Sequence, residues 1–140
     1  MSNVEVTLTS NADAIREATA EAIKTALEAV GVQAQGNASA KITANGTVDT
    51  GTLRDSIQFE VQDNELYVGT NVHYAPYIEF GTGIHAESGG GRQTPWTYQK
   101  DGKWYTTVGR KPAPFLRPAM QDHLVEYQQI FEEELAKLGN

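Results

Sequence analysis

The stretch from His73 to Gly83 reads His-Tyr-Ala-Pro-Tyr-Ile-Glu-Phe-Gly-Thr-Gly and tightly restricts its own backbone. Pro76 fixes its φ and has no amide to donate, so it belongs in the first turn of a short helix. Tyr74, Tyr77 and Ile78 then stand three and four residues apart and are expected to share a face. Gly81 and Gly83 flank Thr82 and permit angles that a side chain forbids. The helical turn should stop there and the chain bend sharply. An aromatic turn running straight into a glycine-hinged loop is expected to be a joint between two surfaces; the plainer alternative is a buried connection in a small domain.

Earlier in the chain, Val4, Val6 and Leu8 alternate with polar neighbours, the pattern of a short strand over residues 4 to 8. Ser10, Asn11 and Asp13 have the spacing of a helix cap. From there Ile15, Thr19, Ile23, Leu27 and Val30 form one stripe, widened by Ala18, Ala22 and Ala26, so a helix is expected over about residues 12 to 30. The alanines make its face shallow and allow close approach. Between Gly31 and Gly46 the signals conflict: Val32, Ala34, Ala38, Ala40 and Ile42 could continue a helix past a break, while Gly36-Asn37 and Asn45-Gly46 favour turns. Residues 43 to 52, rich in Thr, Asn and Gly, read as an exposed loop.

Ile57, Phe59 and Val61 alternate with polar residues, Asp63-Asn64 makes a turn, and Leu66 and Val68 return on the same face, with Tyr67 opposite. A second hairpin is signalled by Asp101-Gly102. The period puts Trp96, Tyr98 and Trp104 on one face and Tyr105 on the other. Between the hairpins, Gly89-Gly90-Gly91 should form a loop that orders only when something covers it. Phe115-Leu116 should anchor a long closing helix with Pro118 in its first turn. Its stripe is Leu116, Met120, Leu124, Tyr127, Phe131, Leu135 and Leu138, while Glu132, Glu133 and Glu134 form a solvated face. These elements define an α+β fold: an N-terminal helix, an antiparallel sheet of about four strands, and a long C-terminal helix packed on the same face.

A chain of 140 residues suits one domain, 1–140, with a core that needs no staples. Cysteine is absent, so disulfides, thiol nucleophiles and thiolate metal sites are excluded. No secretory signal or membrane span is expected, and synthesis should be cytosolic. A net charge of -7 opposes non-specific wrapping of nucleic acid. It is compatible with passive contact with DNA inside a ring, where an acidic wall repels the duplex.

Asp49-Thr50-Gly51 is also the triplet of aspartic peptidases, which place two such carboxylates side by side to share a proton. This chain supplies one and would have to act as a homodimer, with Val108-Gly109-Arg110 as a faint second echo. The competing structural reading has Asp49 cap a turn completed by Gly51. The triple glycine lacks the Lys and Ser/Thr of a phosphate loop. Arg92, Lys100 and Lys103 near exposed aromatics are thin for base stacking. A small cytosolic DNA- or protein-binding adaptor is a third reading.

Three blocks in order carry a resemblance: Val48 to Ile57, His73 to Gly83, and Pro112 to Ala119. Together they resemble the tail-component family of long-tailed bacteriophages, small virion proteins of the neck and tail-completion class. The resemblance implies helix before the Asp-Thr-Gly block, no cofactor, no enzyme activity and no membrane partner. It implies a structural virion role, at the neck or tail-completion position of the head-tail junction, in a protein made in the host cytoplasm. Partners would be other virion proteins, and the protein would form a homo-oligomeric ring when assembled but associate weakly alone. The expected assembly or structural residues are Asp49, Gly51, Leu53 and Arg54; Tyr74, Tyr77, Glu79, Phe80, Gly81 and Gly83; Gly89, Gly90 and Gly91; and Pro114, Phe115 and Arg117. Glu79 is expected to bond the loop amides that follow it.

Overall fold

The computed structural model describes residues 2–6, 20–46 and 50–138. The chain divides into two compact units, one made of Met1–Val72 with Phe115–Asn140 and the other of His73–Pro114. The α+β class and both expected hairpins are present. The hairpins stand in separate sheets, one of three strands and one of two.

The first unit contains β1 (Ser2–Val6), α1 (Ala20–Asn45), α2 (Thr50–Asp55), β2 (Gln58–Gln62) and β3 (Glu65–Thr70). Its antiparallel strands lie in the order β1-β3-β2. Asp63 and Asn64 have φ of 52° and 63°, the backbone of a tight two-residue hairpin turn whose twist matches its strands. That turn sets Phe59 opposite Val68 and Val61 opposite Leu66 on one face, and Glu60 opposite Tyr67 on the other, as the alternation requires.

Helix α1 is the element against which this unit is built. Its buried residues Ile23, Ala26, Leu27, Val30, Gly31, Ala34, Ala38 and Ile42 continue one helical stripe along 26 residues. The helix therefore does not end near residue 30, and neither Gly31 nor Gly36 breaks it. A Cβ at Gly31 would collide with the Phe59 ring, 2.7 Å from Cγ, so glycine is there because β2 presses an aromatic ring onto the helix backbone. Gly36 is exposed with open space around it. The helix stops at Gly46, whose φ of 61° is typical of a C-terminal glycine. The loop expected over 43 to 52 is correspondingly shorter, since residues 43–45 and 50–52 are helical. The expected helix start at residue 12 and its cap, together with residues 7 and 8 of the first strand, lie outside the described residues.

Short polar bonds fix what α1 meets. Gln35 Nε2 donates to the Ile57 carbonyl at 2.7 Å. Ser56 Oγ donates to the Leu53 carbonyl at 2.6 Å and lies 2.6 Å from Thr70 Oγ1, tying α2 to the end of β3.

The expected single closing helix is two: α4 (Leu116–Gln121) and α5 (Leu124–Leu138). The interruption at Asp122-His123 resets the stripe, so Leu116, Met120, Tyr127, Phe131 and Leu135 are buried but Leu124 is 48% exposed. Helix α5 packs along α1, which itself lies on β2 and β3. Tyr127 pins the break: its hydroxyl donates to the Ala119 carbonyl and accepts from Asn37 Nδ2 at 2.9 Å. Burial raises its pKa above 10.0, opposed by the Asn37 bond and reinforced by Glu126.

The second unit contains α3 (Ala75–Phe80), a 3-10 turn at Gly83–His85, β4 (Trp96–Lys100) and β5 (Lys103–Thr107). Asp101 and Gly102, with φ of 52° and 78°, again make a two-residue turn. Such a turn pairs even-numbered residues with odd ones, so Tyr98 lies opposite Tyr105 and Gln99 opposite Trp104. The expected grouping is thereby corrected: Tyr105 shares the face of Trp96 and Tyr98, and Trp104 stands on the other.

Two measurements test this packing. Gly36→Ala should raise stability by about 0.5–1 kcal/mol and Gly31→Ala lower it by about 1–3 kcal/mol, read from denaturant midpoints. Because the folded protein holds the Tyr127 proton more tightly than the unfolded chain, this stabilisation is complete below pH 10.0 and is lost as pH rises through the higher folded value. Tyr127→Phe should remove that alkaline sensitivity and cost about 1–2 kcal/mol near neutrality, measured by unfolding at a series of pH values.

Candidate assembly site

In the second unit the backbone of Gly81-Thr82-Gly83 is clasped to Val108-Gly109-Arg110. The Thr82 amide donates to the Arg110 carbonyl and the Ile84 amide to the Val108 carbonyl, each at 3.0 Å. The Arg110 amide returns a bond to Thr82 Oγ1 at 3.0 Å. No side chain fits between these segments: a Cβ at Gly83 would lie 2.7 Å from the Val108 carbonyl carbon, and one at Gly109 2.6 Å from that of Thr82. Their φ values of 61° and 124° are also glycine's own. The Ala113 amide extends the clasp to the Ile78 carbonyl at 2.8 Å. Nothing in the local sequence marks Gly109 as special beyond the faint peptidase echo of Val108-Gly109-Arg110. The clasp explains that triplet by close backbone approach.

The triple glycine divides in two. Gly89 and Gly90 are exposed, the latter donating to Ser88 Oγ at 3.1 Å. Gly91 packs against the clasp, where a Cβ would sit 2.8 Å from that of Ala86. It belongs to the joint rather than to an open loop.

Helix α3 buries Ala75, Ile78 and Glu79. Tyr77 does not share the Ile78 face as expected. One residue along a helix turns about 100°, so Tyr77 swings outward and is 58% exposed. Tyr74 is half-buried and packs edge-on against His73 at 5.6 Å. Phe80 is exposed.

Elsewhere, Asp49 lies outside the described residues. Gly51 and Leu53 sit in α2, Leu53 fully buried. Arg54 is exposed, its Nε 3.4 Å from Asp55 Oδ1. Pro114 and Arg117 are half-buried and Phe115 is buried, the anchor its position predicted.

Of the ten large apolar side chains exposed among the described residues, seven lie in His73–Pro114, so the outward apolar surface belongs mainly to this unit. Tyr98 and Tyr105 stack at 5.5 Å beside Lys100 and Lys103, and Arg92 lies over the Trp96 ring at 5.6 Å. Trp104, on the opposite strand face, is 69% exposed. The charge is divided too: His73–Pro114 carries five basic and three acidic side chains, while the rest of the chain carries six and fifteen.

Exposed aromatic and basic side chains are thus concentrated in the second unit. Over residues 7–81, more than half of the chain, the sequence matches the family model described as "Bacteriophage HK97-gp10, putative tail-component". The chain belongs to this family: it is a structural tail component of a bacteriophage, placed in the virion among other virion proteins. The match covers the Val48 to Ile57 block and His73 to Gly81, while Pro112 to Ala119 lies beyond it. No curated protein and no solved structure matches the chain significantly.

The clasp has a local test. Gly83→Ala or Gly109→Ala should destabilise the second unit by roughly 2–5 kcal/mol, from overlap plus a forbidden backbone region. Amide exchange at Thr82, Ile84 and Arg110 should accelerate while Val30 and Val68 keep their protection. Gly102→Ala, with positive φ but open space, should cost only about 1–2 kcal/mol.

Proposed function

We propose that this tail component acts at the head-tail junction, as a neck or tail-completion protein that forms a homo-oligomeric ring in the virion. The whole chain, 1–140, serves as one tail-completion domain. The observation that carries the reading is the concentration of exposed aromatic surface in the second unit, where Tyr77, Phe80 and Ile84 adjoin the clasp in sequence. Exposed apolar surface of that kind is expected where a subunit meets another macromolecule. The resemblance of the three ordered blocks to the neck and tail-completion class is the ground for the junction, and the charge of -7 suits a ring whose lumen repels passing DNA. Glu79 is buried in α3, and the amides of Gly81, Thr82, Ile84, His85, Ala86 and Glu87 in the loop that follows all donate to backbone carbonyls. The ring assembles on its virion partners and associates weakly alone, because ordering and charge repulsion oppose self-assembly in dilute solution.

Deleting the gene from the phage and examining the lysate by electron microscopy tests the position. Filled heads and separate tails are expected, with joining restored by wild-type protein and reduced by Tyr77→Ala with Phe80→Ala. Normally joined, infectious particles from the deletion would overturn the junction role.

A further inference from the structure

We infer that the β4–β5 hairpin docks on a second copy of this chain, against the outer face of that copy's β2–β3 pair. This rests on the assembly reading above and names the two surfaces it would use. The hairpin has only two strands and residues 97–106 are all exposed. An isolated two-stranded hairpin is marginal in water. This one nonetheless carries aromatics on both faces, the Tyr98-Tyr105 stack with Lys100 and Lys103 on one and Trp104 on the other. Its sequence therefore suits contact rather than solvent.

The receiving face has the opposite chemistry. From Ser56 to Val72 the chain contains Glu60, Asp63 and Glu65 and no Lys or Arg. An open hollow of about 440 Å³ lies there, lined in part by Gln58, Glu60, Gln62, Tyr67 and Gly69. It offers carboxylate to the lysines and an apolar floor to an aromatic ring. Because the donating and receiving surfaces differ, the contact is head-to-tail and repeats from copy to copy, as a ring requires.

The test is a charge swap read by sedimentation velocity up to millimolar protein, at low and high salt. Wild-type protein should associate with rising concentration and less so in high salt. Lys100→Glu/Lys103→Glu and, separately, Glu60→Lys should each weaken self-association about tenfold or more. Mixing the two variants should restore it, since the reversed hairpin of one then meets the reversed face of the other. Glu28→Lys, the same charge change as Glu60→Lys at an exposed site on α1, should behave as wild type. All substituted positions are exposed, and circular dichroism checks that each variant folds. Wild-type protein that stays monomeric, variants that associate normally, or a mixture that does not recover would each overturn the inference. Binding of a single-stranded oligonucleotide that depends on Lys100 and Lys103 without self-association would overturn it in favour of nucleic acid. In none of these outcomes does the junction role fall, since that depends on unjoined heads and tails in the deletion phage.

Discussion

The first unit depends on how closely its sheet approaches α1. The Phe59 ring rests on the backbone of Gly31, where even a methyl group would overlap it. The buried alanines at 26, 34 and 38 keep the remainder of the stripe low. With a shallow helix at the centre, β2 and β3 can pack on it while α5 runs along it. A residue that costs helix propensity is thus offset by packing, which usually decides whether a helix holds together. The bonds from Gln35 to Ile57 and from Asn37 to Tyr127 then fix the helix to each neighbour separately.

The second unit solves a similar problem with backbone alone. Gly83 and Gly109 let two chain segments approach within hydrogen-bonding distance without side chains between them. Tyr77, Phe80, Tyr98, Trp104 and Tyr105 of this unit are exposed. The clasp maintains the shape of the unit, and the aromatic side chains stay exposed. The same segment holds the chain's basic excess, so its outward surface differs from the acidic remainder in charge as well as in hydrophobicity.

The α+β class, both hairpin turns and the faces of β2 and β3 follow from local sequence alone. Each of these follows from a local rule: Asp-Asn and Asp-Gly adopt positive φ, and strand side chains alternate. The sequence also marks Gly81, Gly83 and Phe115, and its three blocks point to the family. The stripe Ala34, Ala38, Ile42 continues the period of Ile23, Leu27 and Val30, so the full length of α1 was legible once Gly31 is not taken as a stop. Tertiary structure alone decided that question, because a glycine that ends a helix and a glycine that admits a ring look alike in one dimension. The break at Asp122-His123 carries neither glycine nor proline, and its consequence for Leu124 appears only when Tyr127 is seen bonded to Ala119 and Asn37. The pairing of Gly83 with Gly109 joins residues 26 apart in sequence, and their need for glycine comes from each other's backbone. Contacts of that kind leave no periodic signal, which is why the residues were visible and their partnership was not.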